Sequence, residues 1–324
     1  MLLFFSRYVG FIHCFPVIKF VYNSIQTDYD TLKQPVERKM LMEHIDASKR
    51  TVLIFLRACC LGIVSIVSLL SFPIVFNILL PQKGSRNRYL KLLGFIVNQD
   101  KYVDLVTLHV ILTTGIGLLV ITCTESTLSV CAYYICGLFQ ITGYRVRSTI
   151  ADAAKRVDVS EGGVSDYSGI REAVTVHKKC IKIINEIVTK MMVSYLVAIL
   201  LVVMSFGVNL YHCFLGYVEM GDPQELVLST VIVAIHVVIM FLNNLSGQLI
   251  IDNSRCVFYE TYNSMWYRTP PSMQKLVLMI LHRSSIDSAF NLSSLFIPCF
   301  EGFSAMLSTS FSYFTMLYST QPSG

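Results

Sequence analysis

Charge is scarce in this sequence. Of its 324 residues 15% are charged and 54% are hydrophobic, against roughly 25% charged in soluble globular domains, so the chain is poorly suited to cover a core with an ordinary water-facing surface. Tryptophan occurs once, at Trp266. There is no HExxH, no Walker A loop, no GxSxG elbow and no dinucleotide glycine fingerprint. The seven histidines share no ligand spacing on a helix face. The ten cysteines, among them Cys59, Cys60, Cys123, Cys131 and Cys136, are dispersed through apolar stretches without paired metal spacing, and most read as small buried hydrophobes. An enzyme, a cofactor and a metal site are therefore not expected. A net charge of +5, with basic residues in the loops, suits anionic lipid headgroups better than nucleic acid. No internal repeat or low-complexity segment occurs.

What the chain has instead is long apolar runs, and they predict an all-α, polytopic membrane helical bundle of six spans at about 1–22, 52–80, 103–135, 191–216, 227–251 and 291–319. The first run scatters Arg7, His13, Pro16 and Lys19, which a secretory signal would not, so it reads as a membrane helix with Lys19 snorkelling at its inner end. Residues 23–51 read as a polar loop. The 52–80 run carries Arg57 as its single charge and Pro73 as a kink. The run from 103 to 147 exceeds the about 20 residues a bilayer requires, so its helix continues past the membrane face. Glu125 then falls at the inner interface, with a buried ion-pathway acid as the alternative. The glycines of Thr114-Gly115-Ile116-Gly117 read as packing positions.

Residues 148–190 are polar, broken at Gly162-Gly163, and resume as an amphipathic helix. Ile170, Val174, Ile181, Ile184 and Val188 form its apolar face, and Lys178, Lys179 and Lys182 lie on the other side, near lipid phosphate or in solvent. The 227–251 span holds His236 and the pair Asn243-Asn244, read as helix-packing groups with ligand contact as the alternative. Thr269 is expected to cap a short helix with Pro270 at its first position, whose apolar face is Met273, Leu276, Val277, Ile280 and Leu281. Small residues Gly302, Ser304, Ala305, Ser308, Ser310 and Ser312 interleave the last span, for close helix approach or a polar lining. Two glycosylation sequons, at Asn244 and Asn291, fall where modification is not expected.

Lysine and arginine number five in 23–51, nine in 145–190 and four in 255–283, with none in 217–226 or after 319. The positive-inside bias makes the first three regions cytoplasmic and the C-terminus extracellular. The loop 81–101, with Lys83, Arg86, Arg88, Lys91 and Lys101, opposes that assignment, but the alternation of spans outweighs it.

The last seventy residues carry a specific order of signals: Tyr262, Trp266, Tyr267 and Pro270, then Gln274-Lys275, Arg283-Ser284 and Ser312-Tyr313-Phe314. This tail resembles the C-terminal signature of the insect odorant receptor family. The likeness runs more faintly upstream through Asp100-Lys101-Tyr102, Cys136-Gly137-Leu138-Phe139, Tyr144-Arg145 and Gly247-Gln248. The resemblance implies seven helices with a cytoplasmic N-terminus, so the first span here would align with the family's second helix and the family's first would be absent. It implies a subunit of an odorant-gated, nonselective cation channel, assembled with a common co-receptor as a heterotetramer in the plasma membrane of an olfactory sensory neuron dendrite.

The same resemblance implies a last helix lining the pore, with Tyr313 in its motif, Met316 at a hydrophobic gate and Thr320 near the outer mouth. It implies a cytoplasmic subunit anchor at Tyr259, Tyr262, Trp266, Tyr267 and Leu276. It also implies an apolar pocket for a small volatile hydrophobic ligand, with Phe5, Tyr8, Phe72, Phe76, His109, Thr113, His236 and Met240 as candidates. A gustatory receptor of the same superfamily would share the topology but not the Trp266-Tyr267 run and Gln274-Lys275. A six-span transporter would call for repeat symmetry and a charge at mid-membrane depth. A G-protein-coupled receptor would have the opposite orientation, which the accessibility of a C-terminal tag on intact cells distinguishes.

Overall fold

Apolar runs of this length leave the backbone one solution, because every N–H and C=O inside a hydrocarbon layer must be satisfied within its own segment. The computed structural model describes residues 2–79, 99–158, 167–218, 223–292 and 295–320, without the side chains of 72–79, 99–104, 106, 157–158 and 223–225. It is built from helices: α1 (Leu2–Thr31), α2 (Pro35–Leu79), α3 (Gln99–Asp158), α4 (Ser168–Val218), α5 (Pro223–Tyr262), α6 (Pro271–Ser284) and α7 (Phe300–Ser319). A single 3-10 turn, Trp266–Arg268, joins α5 to α6. Among the described residues the only β pairing is an isolated bridge between Leu292 and Phe296.

At about 1.5 Å of rise per residue, the 60 residues of α3 reach far beyond a hydrocarbon layer of about 30 Å. Five helices, α1 to α5, are long and apolar enough to cross a membrane by length and composition. The 20-residue α7 falls outside that set because hydroxylated and small residues dilute its apolar ones.

Three expectations give way to local chemistry. Residues 23–51 are not a loop: α1 runs on to Thr31, and only residues 32–34 interrupt the helix before Pro35 opens α2. Polarity there marks the exit from the apolar layer, while the break comes where a proline forces its predecessor out of helical geometry. The last helix starts at Phe300, not near Asn291, because Pro298 disfavours a helical residue before it. Cys299 caps it instead, its Sγ accepting the Gly302 amide at 3.4 Å. At α6 the cap position is Pro270 and Pro271 is the first helical residue, while Thr269 closes the preceding 3-10 turn by donating to the Trp266 carbonyl at 2.6 Å. The basic loop 81–101 lies almost wholly outside the described residues.

Helix α3 is the central element, packed on α1, α2, α4 and α5. The largest core joins the second halves of α1 and α3, the start of α4, the end of α5 and α6, with Tyr134, Phe139, Ile141 and Ile183 fully enclosed. Cys131, Cys136 and Cys180 are buried within it, and all ten cysteines are free thiols. At the opposite end the cores are small, and apolar residues face outward instead. Leu105, Leu108, Leu112, Ile116 and Leu119 form one exposed stripe along α3 at helical spacing, a pattern suited to lipid rather than water.

Polar ties clamp the dense end. Arg145 on α3 donates through Nε and Nη2 to both carboxylate oxygens of Glu37 on α2, at 2.7 and 2.9 Å. Asp28 on α1 accepts from the Tyr134 hydroxyl and from Lys179 Nζ, so this lysine is an interhelix tie and not a lipid-facing or solvated charge. His177, buried on α4 with its ring edge-on to Phe139, is pushed down to about 4, chiefly by burial and secondarily by the Arg283 charge.

The unfolded chain titrates this imidazole near 6.5, so between those values the unfolded state binds the extra proton. The stabilisation is complete above pH about 6.5 and is lost as pH falls toward about 4, a difference on the order of 3 kcal/mol. Thermal unfolding of the chain in lipid nanodiscs at pH 7.5 and pH 5 samples about 2 kcal/mol of it. The native chain is expected to lose more stability on acidification than His177→Leu, and equal losses would refute the assignment.

Candidate ligand cavity and uncovered helix face

The sparsely packed half of the bundle contains a cavity of about 280 Å³ between α1, α2, α3, α4 and α5. Each helix contributes one face. From α3 come Val110, Thr114, Leu118 and Ile121, at successive intervals of four, four and three. From α5 come Ile232, Ile235, His236 and Ile239 among others, and from α4 Val202, Ser205 and Asn209. Leu3 and Phe4 reach in from α1, where the Phe4 ring lies directly over Gly117 and would have to shift to admit a side chain there. No lining residue is charged.

The polar groups of the cavity are linked to one another. His236 Nε2 lies 3.1 Å from Ser205 Oγ, and its Nδ1 lies 2.8 Å from the Ile232 carbonyl. Asn209 donates through Nδ2 to the Ser205 carbonyl at 2.7 Å.

The pocket candidates are placed unevenly around this cavity. His236 lines it. Phe5 and Tyr8 are exposed on the outer side of α1, one helical face away from Leu3 and Phe4. His109 and Thr113 each precede a lining residue, Val110 and Thr114, and His109 is exposed. Met240 is buried in a neighbouring cluster with Val203, Phe206 and Met306. Phe72 and Phe76 lie outside the described side chains, and α2 contributes Ile66 and Leu70. Ser205 and Asn209 escaped sequence reasoning, although two polar residues four apart in an apolar helix signal a shared inward face.

Glu125, expected at an interface, is buried instead, with Arg7 Nη1 at 2.7 Å from its Oε1 and the Arg7 guanidinium 4.2 Å from the centre of the Tyr195 ring. Two opposite charges in contact neutralise each other, which is how a protein interior tolerates either.

Asn244 is also buried, and it serves the last helix. It donates to the Met240 carbonyl at 2.8 Å, and its Oδ1 accepts the Cys299 amide at 3.1 Å. Gln248 Oε1, one turn on, accepts the Phe300 amide at 3.2 Å. Two α5 side chains thus satisfy backbone N–H groups that would otherwise be orphaned where α7 starts.

Helix α7 rests on α4 and α5. Its buried positions are Gly302, Met306 and Ser310, and Tyr313 packs against Gly207 of α4. The small residues therefore divide by face: Gly302 and Ser310 allow close approach, whereas Ala305, Ser308, Thr309 and Ser312 are uncovered, together with Met316 at 59% exposure. Thr320 is exposed at the C-cap. Of the anchor candidates, Tyr259, Tyr262, Tyr267 and Leu276 are exposed, and Trp266 packs half-buried against the main core.

Comparison with known proteins agrees with this architecture. No curated protein sequence matches the chain. The chain shares its fold with the insect olfactory receptor OR5 from Machilis hrabei, solved in complex with eugenol, at a TM-score of 0.75 and 13% identity, over 99% of this chain and 79% of that one. A second structure of the same receptor gives a TM-score of 0.72 at 13% identity, over 98% and 78% of the two chains. The sequence matches the 7tm Odorant receptor family over residues 17–311, which is most of its length, and the chain belongs to that family of insect odorant receptors.

Proposed function

We propose that this chain is the ligand-binding subunit of an odorant-gated, nonselective cation channel, assembled with a common co-receptor and oriented with its C-terminus outside the cell. It would work in the plasma membrane of an olfactory sensory neuron dendrite, with the small volatile ligand held in the cavity around His236. The observation that carries this reading is the uncovered face of α7. In a lone subunit a helix face rich in serine and threonine has no partner, and a central pore shared by subunits supplies water for it. Met316, at 59% exposure, is the most exposed large apolar side chain of α7, which suits a constriction that closes by dewetting, and Thr320 follows toward the outer mouth. Tyr313 turns toward α4 and acts as a packing contact behind the pore face.

Assembly would use the exposed aromatics of the opposite end. Tyr259, Tyr262 and Tyr267 stand out around the 3-10 turn, and Phe258 stacks on Tyr262 with ring centres 5.8 Å apart. Large aromatics of this kind give contact area at low entropic cost. Coupling would pass along α5, which carries His236 in the cavity and Asn244 and Gln248 at the start of α7. A ligand opens the pore only to the extent that it binds the open conformation more tightly than the closed one.

Inward current in cells expressing the chain with the insect co-receptor, challenged with an odorant panel, tests the proposal. Evoked current is expected, and Met316→Ser is expected to raise the current measured without odorant. Absence of any response, with both proteins at the surface, would sink the channel reading.

A further inference from the structure

We infer that the cavity discriminates ligands by hydrogen-bond donation: it takes small neutral molecules that are mostly hydrocarbon and carry one hydroxyl, alcohols or phenols, in preference to carbonyl or ether analogues of the same skeleton. The inference rests on the cavity being the odorant site. Size and neutrality come first. A volume of about 280 Å³ lies just below the roughly 300–1,000 Å³ typical of small-molecule sites, which favours small ligands. No charged side chain lines the wall, so an ionised ligand would be buried without a counter-charge.

Polarity follows from which atoms hold protons. A backbone carbonyl can only accept, so the 2.8 Å contact between His236 Nδ1 and the Ile232 carbonyl requires the hydrogen on Nδ1. No lining carboxylate balances a second proton, so the ring is neutral and Nε2 is an acceptor. The Ser205 hydroxyl, 3.1 Å away, must then donate to it, and its hydrogen is committed. The amide of Asn209 is oriented by the same logic, because the group 2.7 Å from the Ser205 carbonyl has to be the NH₂. That nitrogen also lies 3.5 Å from Ser205 Oγ.

Asn209 Oδ1 is left without a partner among the described residues. The α4 and α5 side of the cavity therefore offers a carbonyl acceptor whose neighbours have spent their donors. Thr114, on the α3 side, can donate or accept.

A hydroxyl ligand donates to Asn209 Oδ1 and can accept from Thr114. A ketone, aldehyde or ether can accept from Thr114, or from the second Asn209 N–H, whose 3.5 Å contact with Ser205 Oγ is long, but it strips water from Asn209 Oδ1 without replacing it. Leaving a buried acceptor unpaired is the costly half of hydrogen-bond recognition.

The test uses the full chain in lipid nanodiscs and measures dissociation constants by ligand-observed NMR for matched pairs: octanol and octanal, cyclohexanol and cyclohexanone, phenol and anisole. The hydroxyl member is expected to bind about tenfold more tightly, as one net hydrogen bond allows. Asn209→Leu, close in volume, is expected to shrink the preference to roughly twofold, whereas Ser205→Ala, which keeps the backbone carbonyl that orients Asn209 and frees His236 Nε2 as a further acceptor, is expected to keep or widen it. The inference is overturned if the carbonyl or ether members bind as tightly as their hydroxyl partners, if the preference survives Asn209→Leu, or if Ser205→Ala abolishes it. If none of the compounds binds although the chain unfolds cooperatively, the cavity is not the odorant site and the reading beneath the inference fails with it.

Discussion

Arg145→Met is expected to cost about 3–5 kcal/mol of folding stability, the range found when one member of a buried ion pair is removed. Glu37 is 2% exposed, and Arg145 supplies both of the hydrogen bonds that reach its carboxylate oxygens. Glu172, 3.8 Å from Arg145 Nη1, is a more distant and exposed companion of the arginine. The pair holds the guanidinium above its ordinary range, first through the hydrogen bonds to Glu37. Without Arg145 the Glu37 carboxylate stays enclosed between α2 and α3 with its charge unbalanced.

The double substitution Glu37→Leu with Arg145→Met is expected to recover most of the loss, because hydrophobic replacement of both partners removes the desolvation penalty together with the attraction. Denaturant titration of the two single variants, the double variant and the native chain gives the coupling energy directly. A coupling below about 1 kcal/mol, the usual value for exposed pairs, would mean that the clamp contributes little.

Gly247→Val is expected to abolish the odorant response while most of the protein still folds and reaches the surface. A Cβ at Gly247 would sit 2.0 Å from the Pro298 carbonyl oxygen and 2.9 Å from its carbon. These are backbone atoms, so no rotamer change relieves the clash and the segment leading into α7 must move. Cys299 and Phe300 would then be drawn away from Asn244 and Gln248, whose side chains accept their amide hydrogens. Overpacking of this kind costs about 1–3 kcal/mol, enough to displace a helix start without unfolding the core at the other end of the bundle.

The readout is evoked current relative to surface labelling, beside Gly115→Val as a control, since a Cβ at Gly115 meets nothing within 4 Å. Preserved current in Gly247→Val at normal surface level would show that the start of α7 tolerates displacement, and the proposed coupling through α5 would fail.

Much of this fold was legible from composition and order alone. Apolar run lengths located α1 to α5, because a hydrocarbon layer admits few backbone solutions. The surplus length of the 103–147 run announced the extension of α3, and Trp266, Tyr267 and Pro270 marked the joint before α6. The reading failed where polarity was taken for a loop, as in residues 23–31, since helices cross from lipid to water without stopping. It also failed at 295–299, where an apolar run hides an irregular segment before α7.

The site was less legible for a geometric reason. A helix turns about 100° per residue, so a one-residue error in facing moves a side chain from cavity to lipid. Phe5 and Phe4, or Thr113 and Thr114, differ by that single step.

By itself the sequence determined that the chain is a membrane bundle of this family, because hydrophobic content, run length and the ordered C-terminal signature survive without any knowledge of contacts. Only the tertiary structure decided which face of each helix turns inward, that Glu125 is neutralised by Arg7, that Asn244 fastens the start of α7, and which small residues of α7 pack and which stand uncovered. Those outcomes depend on distances between residues far apart in the chain, and helical periodicity is silent about which neighbour each face will meet.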